Sequence, residues 1–330
     1  MKVAAVIGAT GYVGSAVVNC LLGRGYNTVR CAMRTPEGAG WLQELCVDGK
    51  DRVALMKIDM SSDTVGSDLD GLLEGAQSVF FCAGFETQSP ETIEFMRGSA
   101  LNVIKAAERQ KVGVVVLTSS GGSTNPPGHK NETPKNEVIH WSDPEVQQQS
   151  GRFSPAAKTL MEMASLAAVG RNQQNEVVDD ELGKKAPRLC IMNPNLILGP
   201  PLRPGGVSGN SLPWVARILR GEAMNEKVPN DSMSIIDVRD LAELHVQCAE
   251  QESASGRYFG VSRSWPWSEI LDTFKAVYPA YKLPPMYEGE ANVETQFDFS
   301  RRDSLGVALR PLETTVKDLV SFLQKKAEVP

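Results

Sequence analysis

The sequence predicts an α/β fold built on a doubly wound parallel sheet, with a smaller C-terminal region interleaved with it. Three features carry that expectation. Short apolar, β-branched runs alternate with helical patterns up to about residue 120, the glycine-spaced loop GATGYVG directly follows the first run, and alternating short strands and helices resume after a long irregular stretch.

The elements follow in order. KVAAVIG at 2–8, NTVRCAM at 27–33, RVALMKI at 52–58, SVFFCAG at 78–84 and GVVVLTSS at 113–120 are near-continuous apolar runs, as strands buried on both faces require. Between the last two, Ile93, Met96, Ala100, Val103, Ile104 and Ala107 recur at three- and four-residue steps and make one apolar helical face. The stretch GGSTNPPGHKNETPKNEVIHWSDPE after Ser120 is rich in Gly, Pro, Asn and Thr and reads as a long surface loop, a kind of segment that tends to be functional. A helix is expected from about Pro155, then a polar insertion at 171–187, and then RLCIMNPNLILGP at 188–200 as one more buried strand with a proline-rich exit. MSIIDVRDLAELHVQCAE at 233–250 reads as a clear helix entry.

Composition narrows the function. The 330-residue chain carries a formal charge of −6, and its basic residues are scattered, which disfavours nucleic acid or an anionic membrane as partner and favours a small molecule. No apolar run approaches the ~20 residues of a membrane span, and the N-terminus enters a strand at once, so no signal peptide is read and the cytoplasm is the expected location. A chain stripped of a transit peptide would read the same way. Six cysteines show neither C-x-x-C pairing nor histidine partners at ligand spacing, so no metal site and no disulfide framework is expected. The three histidines, His129, His140 and His245, form no recognisable hydrolase motif.

In GATGYVG, Gly8, Gly11 and Gly14 follow the first strand and open a helix, the arrangement of a Rossmann-type dinucleotide loop. Gly8 would allow the tight turn, Gly11 the approach of a pyrophosphate, and Gly14 close packing of the helix, while Thr10, Tyr12 and Val13 complete the loop around the anion. The second strand ends VRCAMRT, with Arg30 and Arg34 where an acid would read a free ribose hydroxyl, so NADP(H) is the expected cofactor. Asp59, followed by Met60, stands where the adenine amino group would be met, or it caps a helix in DMSSD. On this reading residues 1–195, with 233–250 returning to them, form the NADP(H)-binding Rossmann domain, and 196–330 are mainly the substrate-binding region.

These motifs resemble those of the extended short-chain dehydrogenases/reductases, and within them the dihydroflavonol reductase and cinnamoyl-CoA reductase group. The resemblance runs over nearly the whole chain and rests on GATGYVG, VRCAMR, VLTSSGG, WSDPE, KTLMEMA, NPNLILGPP, IDVRDLAELHV, GRYF and DFSRRDSLGVALRPLE. It implies that Ser120, with Ser119 beside it, polarises a substrate carbonyl, and that Lys158 holds the nicotinamide ribose. It further implies that Pro194 to Ile197, including Leu196, seats the nicotinamide, that CAGF at 82–85 (Cys82, Ala83, Gly84, Phe85) lies against the diphosphate and ribose, and that Asn125 lines the substrate pocket.

The chain departs from the group at Ser154, four residues before Lys158, where the group has its catalytic tyrosine. None of the six tyrosines lies between 121 and 170. Ser154 either stands in the catalytic place or caps a helix that starts with Pro155. Lys158 could equally be a solvated helix residue, and His129 or His140 could replace the missing acid or simply lie at the surface. Two functions follow: an NADPH-dependent reductase of a small-molecule aldehyde, ketone or related carbonyl compound, or a non-catalytic NADP(H)-binding subunit or redox sensor.

Overall fold

The structure, a computed structural model, describes residues 1–84, 89–205 and 211–329. The first half reads β1 (Val3–Ile7), α1 (Tyr12–Gly23), β2 (Thr28–Met33), α2 (Trp41–Glu44), β3 (Val53–Lys57), α3 (Val65–Leu73), β4 (Ser78–Phe81), α4 (Glu91–Arg109) and β5 (Val114–Thr118). After a long loop come α5 (Pro144–Gln149), α6 (Phe153–Ala168), α7 (Asp180–Lys185), β6 (Arg188–Pro194) and β7 (Leu196–Leu198). The remainder is α8 (Ser211–Leu219), β8 (Ser232–Asp237), α9 (Val238–Glu250), β9 (Gly256–Gly260), β10 (Arg263–Pro266), α10 (Trp267–Val277), α11 (Ser300–Asp303) and α12 (Leu312–Lys325).

Seven parallel strands run in the order β3-β2-β1-β4-β5-β6-β9, and a separate three-stranded sheet runs β10-β8-β7. The order reverses between β1 and β4, so the strand ends open a crevice there, the usual ligand position in a doubly wound sheet. Alternation fixes the two faces: Phe80 packs into the cluster of Val17, Leu21 and Leu244, and Phe81 into that of Met96, Ile104 and Met161. Each fully buried side chain of this kind contributes roughly 1.5–3 kcal/mol. Leu198, Ile235, Phe274, Val316 and Leu319 form a third cluster around the small sheet.

Two readings of the sequence change here. The run 188–200 is two strands, because the chain leaves the large sheet at Asn195 and β7 pairs with β8. The loop after Ser120 is partly interior: Ser123, Thr124, Glu137 and Ser142 are buried, and Asp143 caps α5 by accepting from the N–H groups of Glu145 and Val146 at 2.8 and 3.1 Å. Among the described residues no helix is long and apolar enough to cross a membrane.

Candidate active site

The glycine loop has the geometry its spacing predicts. Gly8 has φ +83°, and a methyl group there would lie 2.7 Å from the Ala83 backbone nitrogen. A methyl on Gly14 would stand 2.1 Å from the Gly8 carbonyl oxygen, so this glycine lets α1 close on its own loop. Gly11 precedes α1, its N–H donates to Gly8 O at 3.0 Å, and the first turn of the helix carries no acidic residue. The first N–H groups of an α-helix have no partner within it, so Tyr12, Val13 and Gly14 present donors and the positive helix end to an anion, with Thr10 half-buried beside them. This cradle fits a diphosphate. The Tyr12 side chain turns away: its hydroxyl donates to Gly199 O at 2.7 Å, and burial, with Asp237 nearby, pushes its pKa well up.

The two arginines part company. Arg34 is exposed just past β2, its guanidinium close enough to Asp59 to help hold that carboxylate down, after the larger effect of the Ser61 hydrogen bonds. Arg30 is withdrawn from the proposed phosphate contact. It sits mid-strand opposite Ala5 and Ala54, and its Nη1 donates to Leu72 O at 2.7 Å and Glu74 O at 2.6 Å, closing the C-terminal end of α3. Asp59 does not cap α3; its Oδ1 accepts from the Ser61 N–H at 3.0 Å and hydroxyl at 2.7 Å. Met60 packs on the core.

From the glycine loop a continuous seam follows the C-terminal ends of the strands. Gly8 abuts Ala83. Cys82, next to it, lies beside Thr118 and Lys158, with burial pushing its thiol up to about 11. Among the described residues nothing crowds Gly84, and Phe85 falls outside them. Lys158 Nζ donates to Thr118 O at 2.8 Å, and burial pushes the ammonium down to about 8, opposed by Glu162 and Cys82. It is not a freely solvated helix residue. The Thr118 hydroxyl pairs with His245 Nε2 at 2.8 Å, while His245 Nδ1 lies 2.7 Å from Leu241 O and so carries the ring proton. Burial pushes His245 down to about 4 and keeps it neutral.

Ser120 accepts from the Gly122 N–H at 3.0 Å through its Oγ, leaving its own proton to be donated elsewhere. A methyl on Gly122 would lie 3.2 Å from Pro155 Cβ, and one on Gly121 3.5 Å from Pro194 O. The serine turn therefore packs against both the Ser154–Pro155 corner and the segment Pro194–Ile197, in which Pro194 and Leu196 are buried and Ile197 half-buried. Ser154 is not a cap, because α6 begins at Phe153 with Arg152 before it. Gly151, at φ +69°, and the bond from Arg152 N to Gln147 O at 2.8 Å bring the chain out of α5 two residues too early for a serine cap. Ser154 thus stands in the first turn, one turn before Lys158 on the same helical face.

Beneath this turn is a charged network that the sequence reading missed. Fully buried Glu162 accepts from Asn193 Nδ2 at 2.8 Å and from the Ser119 and Ser123 hydroxyls. Its other oxygen meets Arg257 Nε at 2.7 Å. Arg257 lies 3.6 Å over the Trp141 ring and donates to the carbonyls of Glu137, His140 and Ser123 at 2.8, 3.0 and 2.9 Å, pinning the loop onto the sheet. The only local hint was the i, i+4 spacing of Lys158 and Glu162. Asn125 is exposed, with Nδ2 donating to Gly121 O at 3.1 Å and Oδ1 accepting from Lys135. His129 and His140 face each other with centroids 4.8 Å apart; neither is placed at Lys158 by any contact.

The NAD(P)H-binding family matches residues 8–152. Cinnamoyl-CoA reductase 1 of Arabidopsis thaliana is 30% identical over 334 residues, covering 99% of this chain and 91% of that protein. Cinnamoyl-CoA reductase 2 of Medicago truncatula is 29% identical, covering 98% and 92%. Among solved structures, vestitone reductase from alfalfa superposes with a TM-score of 0.79 at 20% identity over the whole of both chains. Yeast methylglyoxal/isovaleraldehyde reductase complexed with NADPH gives 0.82 at 19% identity, covering 99% of this chain and 100% of that one.

Proposed function

Because this chain belongs to the NAD(P)-binding extended short-chain dehydrogenases/reductases, we propose that it is an NADPH-dependent reductase of an aldehyde, ketone or related carbonyl compound, working without the family's tyrosine. What supports the reading is the seam from Gly8 through Ala83, Cys82, Lys158 and Thr118 to Ser120 and the Ser154–Pro155 corner, which joins a diphosphate cradle to a hydroxyl and an ammonium. Residues 1–195 with 233–250 hold the cofactor on this proposal, and 196–330 mainly shape the substrate site.

The reduced nicotinamide, when bound, supplies the hydride. Arg34 selects the 2′-phosphate, and Pro194, Leu196 and Ile197 seat the ring. Ser120 donates its free proton to the carbonyl oxygen as negative charge develops there. Lys158 is the proton source, since its ammonium titrates near neutrality at about 8. Ser154, too weak an acid itself, passes that proton on directly or through water. A dedicated general acid typically contributes ~10²–10⁴-fold, so a relay that recovers only part of this leaves a barrier higher by up to roughly 3–5 kcal/mol than that of a tyrosine-bearing enzyme.

Ser154→Tyr tests this. NADPH consumption over a panel of aromatic and aliphatic aldehydes and ketones should rise by up to ~10²–10⁴-fold, and Lys158→Ala should abolish the gain. A folded, NADPH-binding Ser154→Tyr protein that reduces nothing would favour the alternative of a non-catalytic NADP(H)-binding subunit, for which the missing phenol is the supporting observation.

A further inference from the structure

We propose that the substrate carries a carboxylate as well as its carbonyl, and that Lys135, held by Asn125 beside the Ser120 turn, receives it. The inference rests on the reductase reading for the position of the carbonyl.

The Lys135 backbone is fixed from both sides: its N–H donates to Gln296 O at 2.9 Å, and its carbonyl accepts from the Asp298 N–H at 2.8 Å. Its half-buried ammonium lies 5.8 Å from the centroid of the Phe297 ring and donates to Asn125 Oδ1, a neutral acceptor. Asn125 in turn donates to the carbonyl of Gly121, the residue after Ser120. Asn125 therefore links the cation by two hydrogen bonds to the turn that carries the polarising hydroxyl, and exposed Asn125 leaves that side open to solvent.

Among the described residues no carboxylate lies within ion-pair distance of Lys135. Asp298 is engaged with Ser300 and Asn136, at 2.6 and 3.1 Å, and Glu137 is sealed inside near Arg301. Burial, then the neighbouring charges of His129, Lys135 and Arg257, push His140 down, towards the neutral imidazole, which cannot act as a counter-ion for Lys135. Withdrawing an ammonium from water without a countercharge is unfavourable, and burial alone pushes Lys135 down to about 8. A ligand carboxylate supplies the missing charge through a charge-assisted hydrogen bond. A single ammonium suits a monoanion; a phosphate dianion calls for more donors than this turn offers.

The test uses three acids that differ from their methyl esters in charge and in one methyl group: glyoxylate, 4-oxobutanoate and 4-formylbenzoate. Wild type should favour at least one acid over its ester in kcat/KM by about ten- to a hundredfold, the worth of one hydrogen bond to a charged group. Lys135→Met should bring that ratio near one through KM, and Lys135→Arg should retain most of it. Equal use of every pair, or a ratio untouched by Lys135→Met, overturns the proposal. Calorimetric titration of the same pairs into the NADPH-loaded protein separates it from the reductase reading. Acid binding that needs Lys135, without turnover, supports the carboxylate site while the reductase reading fails. Turnover with no preference for acid in either rate or binding does the reverse.

Discussion

Removing the charge of Glu162 should destabilise the protein more than almost any other isosteric change near the site. Its carboxylate is fully buried, and the Arg257 side chain 2.7 Å away is 2% exposed. Glu162→Gln keeps an oxygen for Ser119, Ser123 and Asn193 but takes from buried Arg257 its ion-pair partner and leaves it only the weaker influence of Glu137, a loss typically of about 3–5 kcal/mol. Glu162→Ala also orphans the Ser119 hydroxyl at about 1–3 kcal/mol, while Ser123 and Asn193 keep the Ser120 carbonyl as acceptor. The expected total is about 5 kcal/mol or more. Arg257→Met should cost a similar amount, since it strands the carboxylate and releases the carbonyls of Ser123, Glu137 and His140. The double variant Glu162→Gln with Arg257→Met removes both charges, so it should be clearly more stable than the sum of the single losses implies. Urea unfolding followed by circular dichroism gives the four corners of the cycle. A Glu162→Gln cost below about 1 kcal/mol, or strict additivity in the double variant, would refute the claim that this pair holds the loop to the sheet.

Other perturbations separate the roles of individual charges. Arg34→Ala should weaken NADPH by about tenfold or more and leave NADH within twofold, whereas Arg30→Met should lower the melting temperature and keep the cofactor preference; titrations with both cofactors show whether the roles are reversed. Burial raises the Glu137 carboxyl from 4.5 to about 7, so the fold binds the extra proton between those values and loses stability as pH rises through that window. Glu137→Gln should therefore raise the melting temperature at pH 8 and gain little at pH 4, and a difference independent of pH would contradict this. Lys158 shifts the other way, from 10.5 to about 8, so the full penalty of its charge is present below pH 8 and fades as pH rises towards 10.5. Lys158→Met should accordingly stabilise the protein most below pH 8 while abolishing carbonyl reduction, and a destabilised variant at pH 7 would show that the ammonium is structural.

What the sequence revealed was governed by local chemistry. The strands of the large sheet through β5 and the glycine loop were legible because apolar runs and glycine spacing act within a few residues, and the Gly8 and Gly14 contacts follow from that spacing. Arg30 was misplaced because strand periodicity fixes a face but not where a strand ends; the α3 carbonyls that hold it belong to residues far along the chain. The Ser154–Pro155 pair imitated a helix start, yet the turn at Gly151 had already begun the helix at Phe153. Glu162 looked like an ordinary helix glutamate, since its partners Ser119, Asn193 and Arg257 meet it only once three strands are in register.

The arrangement of charge bears on which of the two functions this fold serves. The proposed diphosphate and 2′-phosphate contacts involve the glycine cradle and Arg34, whereas the lysine drawn into the protein against Thr118 and the serine whose hydroxyl accepts from Gly122 lie further along the seam, where the nicotinamide ribose and the carbonyl would be met. Lys158 is costly where it stands: burial outweighs the favourable influence of Glu162, which already has Arg257 as its ion-pair partner. An apolar side chain there would spare the fold that cost. Holding the nicotinamide ribose would give either kind of protein a use for the lysine, but only one that must place a proton beside a reacting carbonyl gains from an ammonium pushed down to about 8. On the reductase reading proposed above, the absent phenol would mark a change in how the proton arrives, with a slower chemical step as its consequence.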